Sequence, residues 1–252
     1  MQIKNMESYC LKMKQSIYDK AFFIDKLYDP VDFIIDYGCA DASLLKFINL
    51  IYPDCKFIGY DNNYEMLKKA QENFPKADYF SNWQDVFFAP NHSLLNLSSV
   101  IHEIYSYLPK NEVEEFWSRV FNSGFKYIAI REMAISKKSD HLTPIVNTIK
   151  VNSLYGKQVK EFENIWGTIT ENKNFIHFLL KYKYKENWDR ELKENYLPLT
   201  VEEIINLIPD NYEIIFFEHR PLVYTAESIK EDLRIDFKDP THVKILLKIK
   251  DN

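Results

Sequence analysis

Apolar residues along this chain fall into two patterns. Short, largely apolar runs occur at residues 31–35, 57–60, 77–80, 93–98 and 125–130, interrupted by Asp32, Gly59, Asp78, Asn96 and Lys126 and, in the fourth, flanked by Ser93 and Ser98. Runs of that length read as strands buried on both faces. Between them lie segments with apolar positions every three or four residues: 43–51, 62–73 and 105–121. In the last, Val113, Phe116, Trp117 and Val120 form one stripe, Pro109 interrupts the start, and Gly124 follows the end. Strand, turn, helix, strand, repeated, predicts a mostly parallel sheet with helices on both faces. Residues 212–217 and 242–249 alternate apolar with polar, which predicts a terminal antiparallel hairpin. The polar linker between them, 220–240, reads as a surface excursion.

Two stretches stand outside this alternation. Residues 1–29 precede the first strand, and Tyr9, Met13, Ile17, Phe23, Ile24 and Leu27 recur at helical steps. One or two amphipathic helices are expected there, with Tyr9 and Tyr18 as candidate lid residues. Residues 136–198 interrupt the expected return to helix and strand, which resumes at Thr200 with a capping pattern. They form an insertion between the fifth and sixth strands. Its later part mixes Phe175, His177, Phe178, Tyr182, Tyr184 and Trp188 with Lys181, Lys183, Lys185 and Arg190. Rings beside cations suit stacking on single-stranded nucleic acid. Glu186, Asp189, Glu191 and Glu194 offset that charge, so a solvated helix with an aromatic buried face fits equally well.

Composition narrows the class. At 252 residues and 46% hydrophobic, the chain can bury the core of a single domain, 1–252, with an elaboration. A net charge of −5 argues against a surface that coats nucleic acid broadly. Cys10, Cys39 and Cys55 have neither paired nor metal-ligating spacing, which fits a reduced, cytoplasmic setting with no metal. No run approaches the ~18 apolar residues of a membrane span, and no signal-peptide core is present.

The chemistry concentrates in residues 31–61. The first apolar run reaches Asp36, then turns through Gly38, Cys39, Ala40, Asp41 and Ala42. Backbone that approaches a ligand closely needs minimal side chains, and Gly38 is the natural pivot for positive φ. Cys39 reads as a small filler in that turn. Ser43 or Asp41 can cap the helix that follows, whose free amides would point at the ligand. The second run ends on Asp61, a carboxylate able to accept from both hydroxyls of a ribose.

IIDYGCADASLL resembles motif I of the class I S-adenosylmethionine (SAM)-dependent methyltransferases, an acid followed by a glycine-rich turn. FIGYDNNYEML is similar to that family's acidic loop, LLNLSSVIHEIYSYL to its fourth-strand region and KYIAIREMA to its fifth strand. The resemblance covers residues 31–134, with a weaker echo at the C-terminus. It departs from the pattern at Ala40 and Ala42, which replace two glycines, and near Leu94, where an acid is often found. It implies a Rossmann-like, seven-stranded sheet, mostly parallel, with a terminal antiparallel hairpin and a helical lid. It also implies SAM as cofactor, with Asp36 and Gly38 on the methionine side, Asp61 on the ribose, Asn62 and Asn63 near the base, and Asp85 on the adenine amino group.

Ligands of open α/β sheets bind outside the carboxyl ends of the strands, which brings Ser98, His102 and Glu103 to the site. His102 is the candidate base for a hydroxyl or amine acceptor, with Glu103 beside it. Arg131, at the end of the fifth strand, is expected to pair with Glu132 or to hold an anionic substrate group. The acceptor class stays open, with a small molecule favoured by the acidic balance and the roofed site. RNA or protein acceptors, and a SAM-binding interaction module without catalysis, are the alternatives. An NAD-dependent dehydrogenase would share the βαβ unit but carry a fuller glycine fingerprint. Oligomeric state is not readable from the sequence.

Overall fold

The structure, a computed structural model, describes residues 16–250. Tyr9, Cys10 and Met13 lie outside the described residues. The elements run α1 (Ile17–Lys20), β1 (Phe33–Tyr37), α2 (Ser43–Ile48), β2 (Lys56–Tyr60), α3 (Tyr64–Asn73), β3 (Asp78–Phe80), β4 (Ser93–Ser98), α4 (Ile101–Tyr107), α5 (Lys110–Asn122) and β5 (Tyr127–Met133). They continue with α6 (Ile145–Trp166), α7 (Asn172–Leu179), α8 (Trp188–Glu191), α9 (Val201–Leu207), β6 (Tyr212–Arg220), α10 (Val223–Leu233) and β7 (His242–Ile249).

The strands form one seven-stranded sheet in the order β3-β2-β1-β4-β5-β7-β6. β1 to β5 are parallel, and β7 runs antiparallel to both β5 and β6. The chain reverses direction across the sheet between β1 and β4. That switch opens a crevice at their carboxyl ends. One face is packed by α4, α5 and α9 through Val113, Phe116, Trp117, Val201 and Ile204. The other is packed by the N-terminal segment, α2 and α3 through Phe22, Phe23, Leu44, Leu45, Ile48, Leu67 and Ala70. β4 is buried at every position and β5 likewise, as central strands covered on both faces must be.

Where one helix was expected over 105–121 there are two. Pro109, with φ −66° and ψ 158°, is the N-cap of α5, and its extended conformation ends α4 just before it. A larger correction concerns 220–240. It is not a surface excursion: α10 lies there, and Ile229, Leu233, Ile235 and Phe237 join Val151, Val159, Phe162, Phe175 and Phe178 in a third hydrophobic core. The lid is therefore built from two segments distant in sequence, the insertion and the β6–β7 connection. Its aromatics face inward. Phe175, Phe178 and Tyr182 are buried, and so is Lys181, whose ammonium donates to the backbone carbonyls of Glu191 and Glu194. The rings of Trp166 and Tyr196 flank that ammonium at 5.0 and 4.8 Å. These groups do not form an exposed stacking platform.

Among the described residues, no helix is long and apolar enough to cross a membrane. Gly59, opposite Asp36 in the β1–β2 register, has no space for a side chain. A Cβ there would stand 2.7 Å from both Cys39 Sγ and a Tyr79 ring carbon. Gly59→Ala is expected to destabilise the protein by about 1–3 kcal/mol through overpacking. Urea unfolding checks this, and an unchanged midpoint would show the cleft floor to be loosely packed.

Candidate active site

The βα turn after β1 is strained, and the strain is local. Gly38 has φ 79°, and a Cβ on it would stand 3.2 Å from Val100 Cγ2. Ala40 and Ala42 also adopt left-handed backbone, at φ 47° and 57°, as does Ser99 at φ 57° after β4. Alanine tolerates that region at a cost of roughly 1–2 kcal/mol, so the surrounding contacts must impose it. Three such residues fall in the two turns at the carboxyl ends of β1 and β4, where strained backbone gathers at ligand sites in other proteins.

The turn's amides are spent within the protein. Those of Gly38 and Cys39 both donate to Tyr60 O, at 2.7 and 2.9 Å, and that of Ala42 donates to Cys39 O. Ser43 N donates to Asp41 Oδ1 at 3.1 Å, while the N-cap position itself is Ala42. Ala40 N donates to Asp61 Oδ2 at 3.0 Å, and Asn63 N donates to Asp61 Oδ1 at 2.8 Å. What the turn supplies is proximity. Asp61 is fixed by one amide on each oxygen and keeps lone pairs for further donors. Burial raises its pKa, and the two amides pull it back.

A cavity of about 320 Å³ occupies the crevice. Gly38, Ala40, Asp61, Asn62, Ser98, His102 and Glu103 all line it. Asp36 and Cys39 do not; they line a smaller cavity of about 20 Å³ behind the turn, together with Asp41 and Leu44. Lys20, Gly38 and Ser98 border both. Asp85 is placed elsewhere. It is exposed at the end of a single 3₁₀ turn, Trp83–Asp85, and lines neither cavity. The neighbouring Trp83 packs on Tyr37 and Tyr60, so that turn closes the core. Tyr18 is 79% exposed and edge-on to Phe47, away from the cavity.

Asp36 is buried and accepts from Asn96 Nδ2 at 2.7 Å. Desolvation raises its pKa to about 6, against the Asn96 bond and Lys20. Lys20 is lowered to about 8 by desolvation and by Arg131, with Asp36 opposing. The hydroxyl of Ser98, at the mouth shared by the two cavities, is buried without a hydrogen-bond partner. An orphaned hydroxyl in a cavity also lined by a carboxylate and an ammonium suits a ligand carrying both charges.

The candidate base has a partner that the sequence reading missed. His102 Nδ1 lies 2.9 Å from Glu132 Oε1, both side chains being nearly fully buried. Glu132 also accepts from the amides of Ile101 at 2.7 Å, His102 at 3.3 Å and Met133 at 2.9 Å. Burial alone would lower His102 and raise Glu132; their pairing reverses both, leaving the imidazole above and the carboxylate below its ordinary range. Arg131 and Glu132 do not pair. They are consecutive on a strand and point to opposite faces. Arg131 instead donates to Asp19 at 2.9 Å and to Ser99 Oγ. The signal for Glu132 was present: a carboxylate inside an apolar, fully buried strand requires partners. Lys20 left no comparable signal.

Glu103 is half-buried and pairs with Arg190 of the lid at 3.0 Å; Arg190 also holds Glu194 at 2.7 Å. Tyr107 donates to Glu194 at 2.8 Å, and Ser106 Oγ accepts from Asn195 N. Helix α4, which carries His102, is thus strapped to the lid along its length.

Neither a family model nor a curated protein sequence matches this chain. Solved structures do. An O-methyltransferase family 2 protein from Planctomyces limnophilus, in complex with apigenin, superposes with a TM-score of 0.54 at 13% identity, over 98% of this chain and 62% of that one. The plantazolicin methyltransferase BamL, in complex with a desmethyl-plantazolicin analogue and SAH, gives 0.52 at 11% identity, over 98% and 88%. PKMT2 from Rickettsia typhi, in complex with AdoHcy, gives 0.52 at 11% identity, over 94% and 53%. The strand order and these superpositions agree. The fold is that of the class I SAM-dependent methyltransferases. In this methyltransferase fold, the cavity occupies the carboxyl edge of the sheet beneath the lid.

The His102–Glu132 pair gives a signed pH prediction. A raised histidine contributes stability that is complete below its unfolded pKa and is lost as pH rises through its folded one. A lowered glutamate contributes above its unfolded pKa and is lost on acidification. Glu132→Gln is expected to cost about 3–5 kcal/mol near pH 6, where both partners are charged, and markedly less at pH 9. Urea unfolding at the two pH values decides, and equal costs would contradict a charged pair.

Proposed function

We propose that this protein binds SAM in the crevice and transfers its methyl group to a small-molecule acceptor under the lid. The observation that carries the reading is one cavity joining the strained βα turn and Asp61 to the His102–Glu132 pair. The residues fit the cofactor. Asp61 retains acceptor capacity for ribose hydroxyls, and Asn62 and Asn63 border the same wall. Asp36, Lys20 and the unpartnered Ser98 hydroxyl provide a carboxylate, an ammonium and a neutral polar group for a zwitterionic amino-acid tail. Gly38 and the left-handed alanines let that tail approach the backbone.

When bound, SAM supplies a methyl group already activated on a sulfonium. The protein's work is therefore alignment, exclusion of water and removal of a proton. The lid and the strapped α4 helix close the cavity over His102. Glu132 holds Nδ1, which leaves Nε2 as the nitrogen for exchange with an acceptor. Because the pair raises the imidazole pKa, His102 acts as a base only once it has shed its proton, so transfer accelerates as pH rises through that value.

Support for a small acceptor comes from the roofed cavity and from the inward-facing lid aromatics, which withdraw the rings an RNA platform would need. The structural neighbours include two plantazolicin methyltransferases and an O-methyltransferase in complex with apigenin, and three were solved with SAH or AdoHcy. No feature favours a dehydrogenase, because the two strands beyond β5 form an antiparallel pair rather than a second mononucleotide half.

Calorimetry with S-adenosylhomocysteine (SAH) tests the reading. Asp61→Ala should weaken binding by about 10- to 100-fold, the loss of one or two charge-assisted hydrogen bonds, while thermal unfolding stays cooperative. Unchanged affinity would overturn the assignment. His102→Ala should leave SAH affinity within about twofold and slow transfer by roughly 10²- to 10⁴-fold. A rate loss matched by an equal loss of SAH affinity would make His102 a cofactor contact instead.

A further inference from the structure

The lid half of the cavity differs in chemistry from the cofactor half. Four tyrosines line it: Tyr182, Tyr184 and Tyr196 from the insertion, and Tyr224 from α10. Two of their hydroxyls are committed to lid carboxylates, Tyr182 donating to Asp232 at 2.8 Å and Tyr196 to Glu191. Those hydroxyls are thereby withdrawn from a ligand; Tyr182 and Tyr196 are themselves buried, 2% and 8% exposed, while Tyr224 is 62% exposed at the rim. Tyr184 is half-buried, and burial raises its phenol to about 12, so it stays neutral.

The charges of this half are balanced internally. Lys183 is held by Asp232 at 2.9 Å and by Ser228 Oγ at 2.7 Å. Arg190 is held by Glu103 and Glu194, and buried Glu191 accepts from Tyr196. A charged acceptor would find no free partner among these groups and would compete for the buried Arg190–Glu194 pair or remain poorly solvated. A neutral ring would need only to displace water and lie against tyrosine faces, which suits the amphipathic character of such walls.

At the inner end of this half lies His102, with Glu132 behind it. A neutral amine can attack a sulfonium methyl before losing its proton, and it needs no base to become nucleophilic. A hydroxyl is a poor nucleophile until its proton is drawn away. A buried imidazole–carboxylate pair is therefore best matched to an O–H acceptor.

We propose that the acceptor is a small, uncharged aromatic hydroxyl compound, methylated on oxygen. This deepens the methyl-transfer reading and rests on it. In the step, the aryl oxygen bonds to the methyl carbon as the carbon–sulfur bond breaks, and that bond's electron pair returns to sulfur. The hydroxyl proton passes to the neutral imidazole of His102. The products are an aryl methyl ether, SAH and an imidazolium. The positive charge that leaves the sulfonium reappears beside Glu132, where a carboxylate stabilises it.

The test uses the full chain with SAM and three probes: 2-naphthol, its carboxylated counterpart 6-hydroxy-2-naphthoate, whose carboxylate is remote from the hydroxyl, and the aliphatic alcohol cyclohexanol, with product ethers followed by mass spectrometry. SAH affinity is measured in parallel. 2-Naphthol should be methylated at least about 100-fold more efficiently than the naphthoate, the scale set by desolvating an unpaired carboxylate, and more efficiently than cyclohexanol, whose hydroxyl is far less acidic and lacks the ring. Tyr184→Leu should raise KM for 2-naphthol about 3- to 10-fold with SAH affinity unchanged, and Tyr184→Phe should restore most of it. Equal or reversed preference for the naphthoate or cyclohexanol would overturn the proposal. So would the absence of naphthol turnover in protein that binds SAH, which would leave cofactor binding standing. Failure to bind SAH would remove both readings together.

Discussion

The architecture of the crevice depends on one carboxylate. Asp61, at the tip of β2, accepts from the amide of Ala40 in the turn after β1 and from Asn63 at the start of α3. These two bonds tie three elements to a single group. They also help hold Ala40 in a backbone region that alanine avoids. The same carboxylate faces the cavity, so the group that fixes the turn is also the one offered to a ligand. Turn geometry and ligand recognition are in this way one constraint.

A second carboxylate organises the other half. Glu132 gathers the first amides of α4, the amide of Met133 and the His102 ring. A buried acid with that many donors is satisfied, and it fixes where the helix begins and which nitrogen the imidazole turns outward. The lid then reaches down to the same helix through Arg190, Glu194 and Asn195. Its own core unites the insertion with α10, so the roof is a small packed layer with its own hydrophobic interior. The buried Lys181, lowered to about 7 by desolvation, is tied by carbonyls and rings within that layer.

Much of the sheet was legible because its strands are short, apolar and buried on both faces; β4 was placed at residues 93–98 as observed. The turn was legible in composition but not in hydrogen bonding. Small residues announce close approach, whereas the destination of each amide depends on Tyr60 and Asp61, which lie about twenty residues away. Glu132 was misassigned to Arg131 because proximity in sequence was weighed above strand alternation. Asp85 on the adenine was implied by the family resemblance, yet Trp83 turns that segment into the core and leaves the acid in solvent. The helix within 220–240 was missed because its apolar positions are sparse. They are buried only because the distant insertion supplies their partners.

The most direct measurement is a crystal structure of the full chain grown with SAH. The ribose hydroxyls are expected within hydrogen-bond distance of Asp61, the amino-acid tail beside Asp36, Lys20 and Ser98, and the sulfur on the His102 side of the cavity. SAH bound elsewhere, or a crevice that excludes SAH and accepts a nicotinamide dinucleotide, would contradict it.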